Sequence, residues 1–137
     1  MKVRINLHGG ELPRRNGDWT DLFTAEEVML RPGDFRVISL GVSMELPEGY
    51  EAHILPRSST FKHWGILMAN GMGIVDNAYC GDEDVWGFPA YATRTVTIPK
   101  GTRICQFRIE KTSEPIEFEE VDELGTKARG GFGSTGK

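Results

Sequence analysis

FRVISLGVSMELPEGYEAHILP, residues 35–56, decides the fold class. Phe35, Val37, Ile38 and Leu40 form one short apolar run, Val42 to Leu46 a second, and Pro47-Glu48-Gly49 a turn; Tyr50 to Leu55 is a third run, closed by Pro56. Short β-branched runs bounded by glycine and proline are strands, because both residues interrupt helices and proline cannot donate to a ladder. Leu30-Arg31-Pro32-Gly33-Asp34 is the turn that leads in. Upstream of it a polar stretch runs to Asp21, and before that Val3 to Leu7 alternates apolar with polar, the period of a strand with one buried face.

Downstream the punctuation continues. Ser58 to His63 is the one short helix candidate, with serines placed to cap it. Apolar runs follow at Gly65 to Ala69, Gly73 to Val75, Val85 to Ala92, Thr93 to Ile98, Arg103 to Ile109 and Ile116 to Val121, separated by Asn-Gly, Cys-Gly-Asp, Pro-Lys-Gly and Ser-Glu-Pro. Turn signals about every 8–12 residues with β-branched strands indicate an all-β sandwich or barrel. From Leu124 onward the character changes to a glycine-rich tail with one aromatic, Phe132.

Composition agrees: 17 glycines and 7 prolines in 137 residues exclude a long-helix bundle. A chain of this length buries roughly 68–70% of the surface its unfolded form exposes, enough for one core but little for walling in a deep pocket. A sizeable ligand site therefore calls for a second subunit. With 16 basic against 20 acidic side chains the net charge is −4, which argues against a non-specific nucleic-acid binder. Cys80 and Cys105 form no CxxC pair and no secretion signal is visible, so two reduced thiols in a cytoplasmic protein are expected. The longest uncharged apolar stretch, Trp64 to Val75, contains three glycines and an asparagine and cannot span a membrane.

Four segments could carry chemistry. In the tail, Lys127 and Arg129 offer charge, Ser134 and Thr135 offer hydroxyls, and Phe132 between glycines offers a stacking face, although composition alone favours a disordered end. It does not fit a P-loop. Pro56-Arg57-Ser58-Ser59 combines a guanidinium and two hydroxyls at a helix start, an anion seat or simply a cap. Asn70 to Asp82 is a glycine-flanked hairpin in which Asp76 could hold and deprotonate a water and Tyr79 could face a sugar, or in which Asp76 and Asn77 are turn residues and Tyr79 is core. In Gly101 to Phe107, alternation sets Ile104 with Gln106 on one face and Arg103, Cys105 and Phe107 on the other, leaving Gln106 in need of a partner or a ligand. His8, His53 and His63 lack metal-ligand spacing.

Taken in order, these segments resemble the motifs of the trimeric dUTP nucleotidohydrolase (dUTPase) family. Pro56-Arg57-Ser58-Ser59 matches the second motif, Gly73-Ile74-Val75-Asp76 with Tyr79 and Gly81 the third, Gly101 to Gln106 the fourth, and Gly130 to Gly136 the fifth. In the first motif Asp21-Leu22 aligns, with Asp18 as a rival. Ala78 stands where the family commonly has an acidic residue, and Lys127 where it has an arginine, so that Arg129 is assigned the tail's cationic role.

The resemblance implies a distorted jelly-roll β-barrel or sandwich over residues 1–124, with residues 125–137 as a flexible flap closing over the active site. It also implies a homotrimer with sites at subunit junctions and Mg²⁺-dependent hydrolysis of dUTP to dUMP and pyrophosphate. Asp76 would hold the attacking water. The backbone of the hairpin, with Asn70, Gly73, Ile74 and Val75, would read uracil, and Tyr79 would pack on deoxyribose and disfavour a 2′-hydroxyl. Arg57, Ser58 and Ser59 of a neighbouring subunit, with Gln106, would hold phosphates. Arg129, Phe132, Gly133 and Ser134 would close over the nucleotide, with Phe132 on uracil. Asp21 would touch the metal only through water, the triphosphate being the main ligand of Mg²⁺. The related dCTP deaminases need a glutamate after the hairpin, and Val85 to Ala90 has none. A catalytically silent nucleotide-binding relative is the other alternative. Neither nucleic acid nor membrane is an expected partner.

Overall fold

The computed structural model describes residues 1–133. Among the described residues twelve strands and one helix succeed one another: β1 (Arg4–Leu7), β2 (Arg14–Asn16), β3 (Trp19–Phe23), β4 (Val28–Leu30), β5 (Phe35–Ser39), β6 (Val42–Glu45), β7 (Tyr50–Pro56), α1 (Thr60–Trp64), β8 (Ile66–Met68), β9 (Gly73–Val75), β10 (Gly87–Ala92), β11 (Val96–Ile98) and β12 (Arg103–Lys111). All pairings are antiparallel. The largest sheet runs β2-β3-β12-β7-β9; a second runs β5-β10-β8, and β1-β6 and β11-β4 are two-stranded. This is the all-β architecture that the spacing of turns predicts, with one short helix.

The core lies between the sheets. Leu22, Ile38, Leu40, Val42, Ile66 and Phe88 are fully enclosed, and the Trp86 ring stands edge-on to Phe107 with centroids 5.3 Å apart. Gly41 joins β5 to β6 with φ of 64°, and a Cβ there would lie 2.6 Å from the Gly10 backbone, so only glycine lets the two segments meet.

Several local expectations are corrected. The polar stretch to Asp21 contains β2 and β3, and β4 precedes the Leu30 turn. β3 escapes an alternation test because Asp21, Leu22 and Phe23 are buried in succession, packed on both sides. β1 forms, yet Leu7 is exposed and Ile5 only half-buried, because β6 is its one partner. Helix α1 starts two residues later than the serine pattern suggests. Ile116 to Val121 forms no strand: the chain leaves the sheet at Lys111, and Ile116, Phe118 and Val121 are exposed.

The face alternation of β12 also fails. Its pairing with β3 shifts register between Arg103 and Cys105, a bulge that leaves Ile104 without an opposite residue. Ile104 and Cys105 are consequently both buried, while Gln106 is half-buried.

Candidate active site

The three central strands β3, β12 and β7 bring charged residues together at one level of the sheet. Gln106 on β12 lies opposite Asp21 on β3 and opposite Leu55 on β7, and β7 then ends at Pro56 and delivers Arg57. Asp21 is 1% exposed, with Arg57 Nε 3.5 Å from Oδ1 and Arg103 Nε 3.4 Å from Oδ2. Asn16 Nδ2 donates to Oδ2 at 3.2 Å, whereas Oδ1 is buried without a hydrogen-bond donor. A lone buried carboxylate is costly, and two half-exposed guanidiniums offset that cost while keeping water on their outer sides.

Arg57 is held from several directions. Its Nη1 donates to the Arg103 carbonyl at 3.2 Å, and its backbone N–H donates to Thr60 Oγ1 at 2.8 Å. Thr60 Oγ1 in turn donates to the Ile104 carbonyl at 2.8 Å, tying the start of α1 to β12. Thr60, not a serine, therefore pins this corner. Ser59 is the N-cap residue but makes no side-chain cap bond, and Ser58 is exposed, so capping does not account for the two hydroxyls. Gln106 Nε2 donates to the Pro56 carbonyl at 3.1 Å, which turns its amide toward the same corner. Burial, together with the Asp21 charge, pushes the Cys105 thiol far above its ordinary range. It is an inert thiol in a polar corner.

The second group lies at the hairpin β8–β9. Asn70, Gly73, Ile74, Val75 and Tyr79 line one cleft of about 270 Å³, with Val37, Trp86 and Pro89 on the facing wall. Gly73 is buried, and a Cβ there would come within 3.1 Å of Ile54 and Met68, so the hairpin backbone sits tight on the sheet. Asp76 leaves the end of β9 with its side chain exposed. The Ala78 N–H donates to its Oδ1 at 3.0 Å, and the Tyr79 N–H to its carbonyl at 2.9 Å. Tyr79 is 42% exposed, its hydroxyl donating to the Val85 carbonyl at 3.3 Å, so it is not a core residue.

The residues singled out from the sequence thus fall into two groups on one sheet. Arg57, Ser58, Ser59, Gln106 and Asp21 form one corner; the hairpin residues form the cleft, whose lining includes none of that corner. Arg129, Phe132 and Gly133 are exposed and join neither group; Phe132 has a left-handed φ of 51°. Ser134 lies outside the described residues. Arg103, given no role from the sequence, belongs to the corner. The clue was chemical: a buried aspartate in β3 needs counter-charge, and Arg103 stands in the same short segment as Gln106.

Among the described residues, no cluster of three or more His, Cys, Asp or Glu could hold a metal. A protein cage therefore does not fit, and Asp21, already facing two guanidiniums, does not suit direct ligation. Its undonated Oδ1 fits contact through a water, with the ion held mainly by ligand phosphates. Among the described residues no helix is long and apolar enough to cross a membrane.

A family model described as dUTPase matches residues 20–136. The chain is 56% identical over 140 aligned positions to a SPbeta prophage-derived deoxyuridine 5′-triphosphate nucleotidohydrolase of Bacillus subtilis, covering 99% of both chains. Its fold matches the dUTPase of Staphylococcus bacteriophage 80alpha, solved with dUPNHPP, at a TM-score of 0.82, 24% identity and 98% coverage of both chains. It also matches a variant of the dUTPase from phage phi11 of S. aureus, whose structure describes coordination of a structural Mg(II) ion: TM-score 0.78, 22% identity, 90% of this chain and 99% of that one.

Proposed function

The chain belongs to the dUTPase family, and from this premise we infer that it is a dUTP diphosphatase, hydrolysing dUTP to dUMP and pyrophosphate. The hairpin cleft supports this most directly. Asn70, the Gly73 to Val75 segment and Tyr79 line this space, and the next residue after Val75 is the solvent-exposed Asp76, an arrangement suited to a flat base and a sugar with the scissile phosphate beyond.

Asp76 orients a water and accepts its proton as the oxygen attacks the α-phosphorus. The bond from that phosphorus to the bridging oxygen breaks, and pyrophosphate leaves. Backbone groups of Asn70, Gly73, Ile74 and Val75 read the uracil edge, and the Tyr79 ring packs on the deoxyribose where a 2′-hydroxyl would collide. Arg57, Ser58, Ser59 and Gln106 bind phosphate oxygens. Mg²⁺, when bound, would neutralise charge on the triphosphate, and Asp21 would contact it only through water. Arg129, Phe132, Gly133 and Ser134 belong to a flap, residues 125–137, that closes on the body formed by residues 1–124.

The working form is a homotrimer with sites shared between subunits. Two observations support it: the phosphate corner and the nucleoside cleft share no lining, and apolar side chains stand unpartnered. Phe35, Val37, Leu67 and Tyr91 cover one outer sheet face, while Ile116, Phe118 and Leu124 are exposed on the segment after β12. The cytoplasm is the compartment that suits the two free cysteines.

The test is pyrophosphate release with Mg²⁺ from dUTP, dTTP, dCTP, dATP, dGTP and UTP. Turnover of dUTP is expected to exceed all others by orders of magnitude. Tight dUTP binding without turnover would overturn hydrolysis in favour of a silent binding protein.

A further inference from the structure

The Asp76 carboxylate begins where the sheet ends. Val75 is still in register with Ala52 on β7, and from Asp76 to Tyr79 the chain is a turn without ladder partners. The turn's internal bonds, Ala78 N–H to Asp76 Oδ1 and Tyr79 N–H to the Asp76 carbonyl, shape it but attach it to nothing. Attachment comes from the next residue. Asn77 Nδ2 donates both hydrogens, to the Pro47 carbonyl and to the Tyr50 carbonyl, each at 2.8 Å.

Those two acceptors bracket the turn between β6 and β7, which is itself fixed. Tyr50 N–H donates to the Pro47 carbonyl at 3.1 Å, and Thr112 donates to the Gly49 carbonyl through both N–H (2.9 Å) and Oγ1 (3.2 Å). A half-buried amide with both N–H groups used on one rigid loop has little rotational freedom, and neither hydrogen is left for a ligand.

We infer that Asn77 is a positioning residue for the hydrolysis, holding the Asp76–Tyr79 turn on the Pro47–Tyr50 turn so that the carboxylate meets the attacking water at a fixed place. The inference rests on Asp76 being the water-holding group. With both amide hydrogens taken by the Pro47 and Tyr50 carbonyls, Asn77 acts on kcat through Asp76, because a displacement of about 1 Å in a reacting group can cost on the order of a hundredfold in rate.

A double-mutant cycle tests this. Asn77→Ala is expected to lower kcat by roughly ten- to a hundredfold while the KM for dUTP and the Kd for dUMP change by a much smaller factor, since the uracil and phosphate contacts lie elsewhere and only the Tyr79 ring, on the same turn, shifts with Asp76. Asn77→Ser, which keeps turn propensity and loses the double donation, behaves alike and serves where the alanine variant does not fold. In Asp76→Ala the further change Asn77→Ala is expected to cost nothing more, because the group it positions is gone.

A kcat unchanged in Asn77→Ala, a KM rising in step with the fall in kcat, or additive losses in the double variant would overturn the positioning role. So would a rate loss in Asn77→Ser matched by unfolding at the assay temperature. Full kcat in Asp76→Ala alone would instead overturn the assignment of Asp76, a separately readable failure.

Discussion

Asp21 in the corner formed by β3, β12 and Arg57 and Asp76 in the hairpin are the two carboxylates of the candidate site, and their surroundings are opposite. Asp21 sits mid-strand, enclosed, with guanidiniums 3.4 and 3.5 Å away on either oxygen. Asp76 is exposed on a turn and carries one backbone hydrogen bond on its side chain. The first is part of what holds β3, β12 and the Arg57 segment together, so its chemistry cannot be separated from folding. The second is cheap to hold and free to meet solvent, as a group that orients a water must be. With Asp76 in its proposed role, structural charge and reactive charge are segregated within one sheet, and mutation should separate them.

The largest effect is expected at the reactive end. Asp76→Ala should lower kcat by about 10²–10⁴-fold, the range for losing a positioned general base, with a melting temperature close to that of the parent; steady-state kinetics alongside calorimetry check it. Asp21→Ala should do the reverse in kind, costing about 3 kcal/mol in urea unfolding. That is the low end for breaking a buried ion pair, because Arg57 and Arg103 retain some water. If Asp21→Ala left stability intact and only weakened activity, the division between the two carboxylates would collapse. The smallest effect on the folded body concerns the tail. Deleting Gly130 to Lys137 should lower kcat/KM by roughly ten- to a hundredfold and leave the unfolding midpoint unchanged, since the described part of that segment, through Gly133, is fully exposed. A collapsed midpoint would make the tail a structural element.

How much of this was legible depends on the range of the interactions. β7 and β9 were readable because their periodicity and their bounding prolines and glycines are local signals. β3 was not, since a strand bearing an aspartate between Thr20 and Leu22 looks polar until Arg57 and Arg103 arrive from 36 and 82 positions away along the chain. Gln106 was flagged as a polar residue in need of a partner, and its partner proved to be the Pro56 carbonyl. Asn77 was visible only as a turn residue. Its two acceptors lie 30 and 27 positions upstream, and nothing local reveals them.

The order of motifs by itself determined the family and the reaction class and singled out Asp76 for the proposed reactive role, because those depend on which groups are present and on spacings of a few residues along one hairpin or one strand. Only the tertiary structure decided that Asp21 is enclosed by two arginines, that a bulge buries Ile104 and Cys105 together, and that Ile116 to Val121 forms no strand with any of the described residues. Burial, register and counter-charge are properties of pairs of segments distant in sequence, and no single segment encodes its partner.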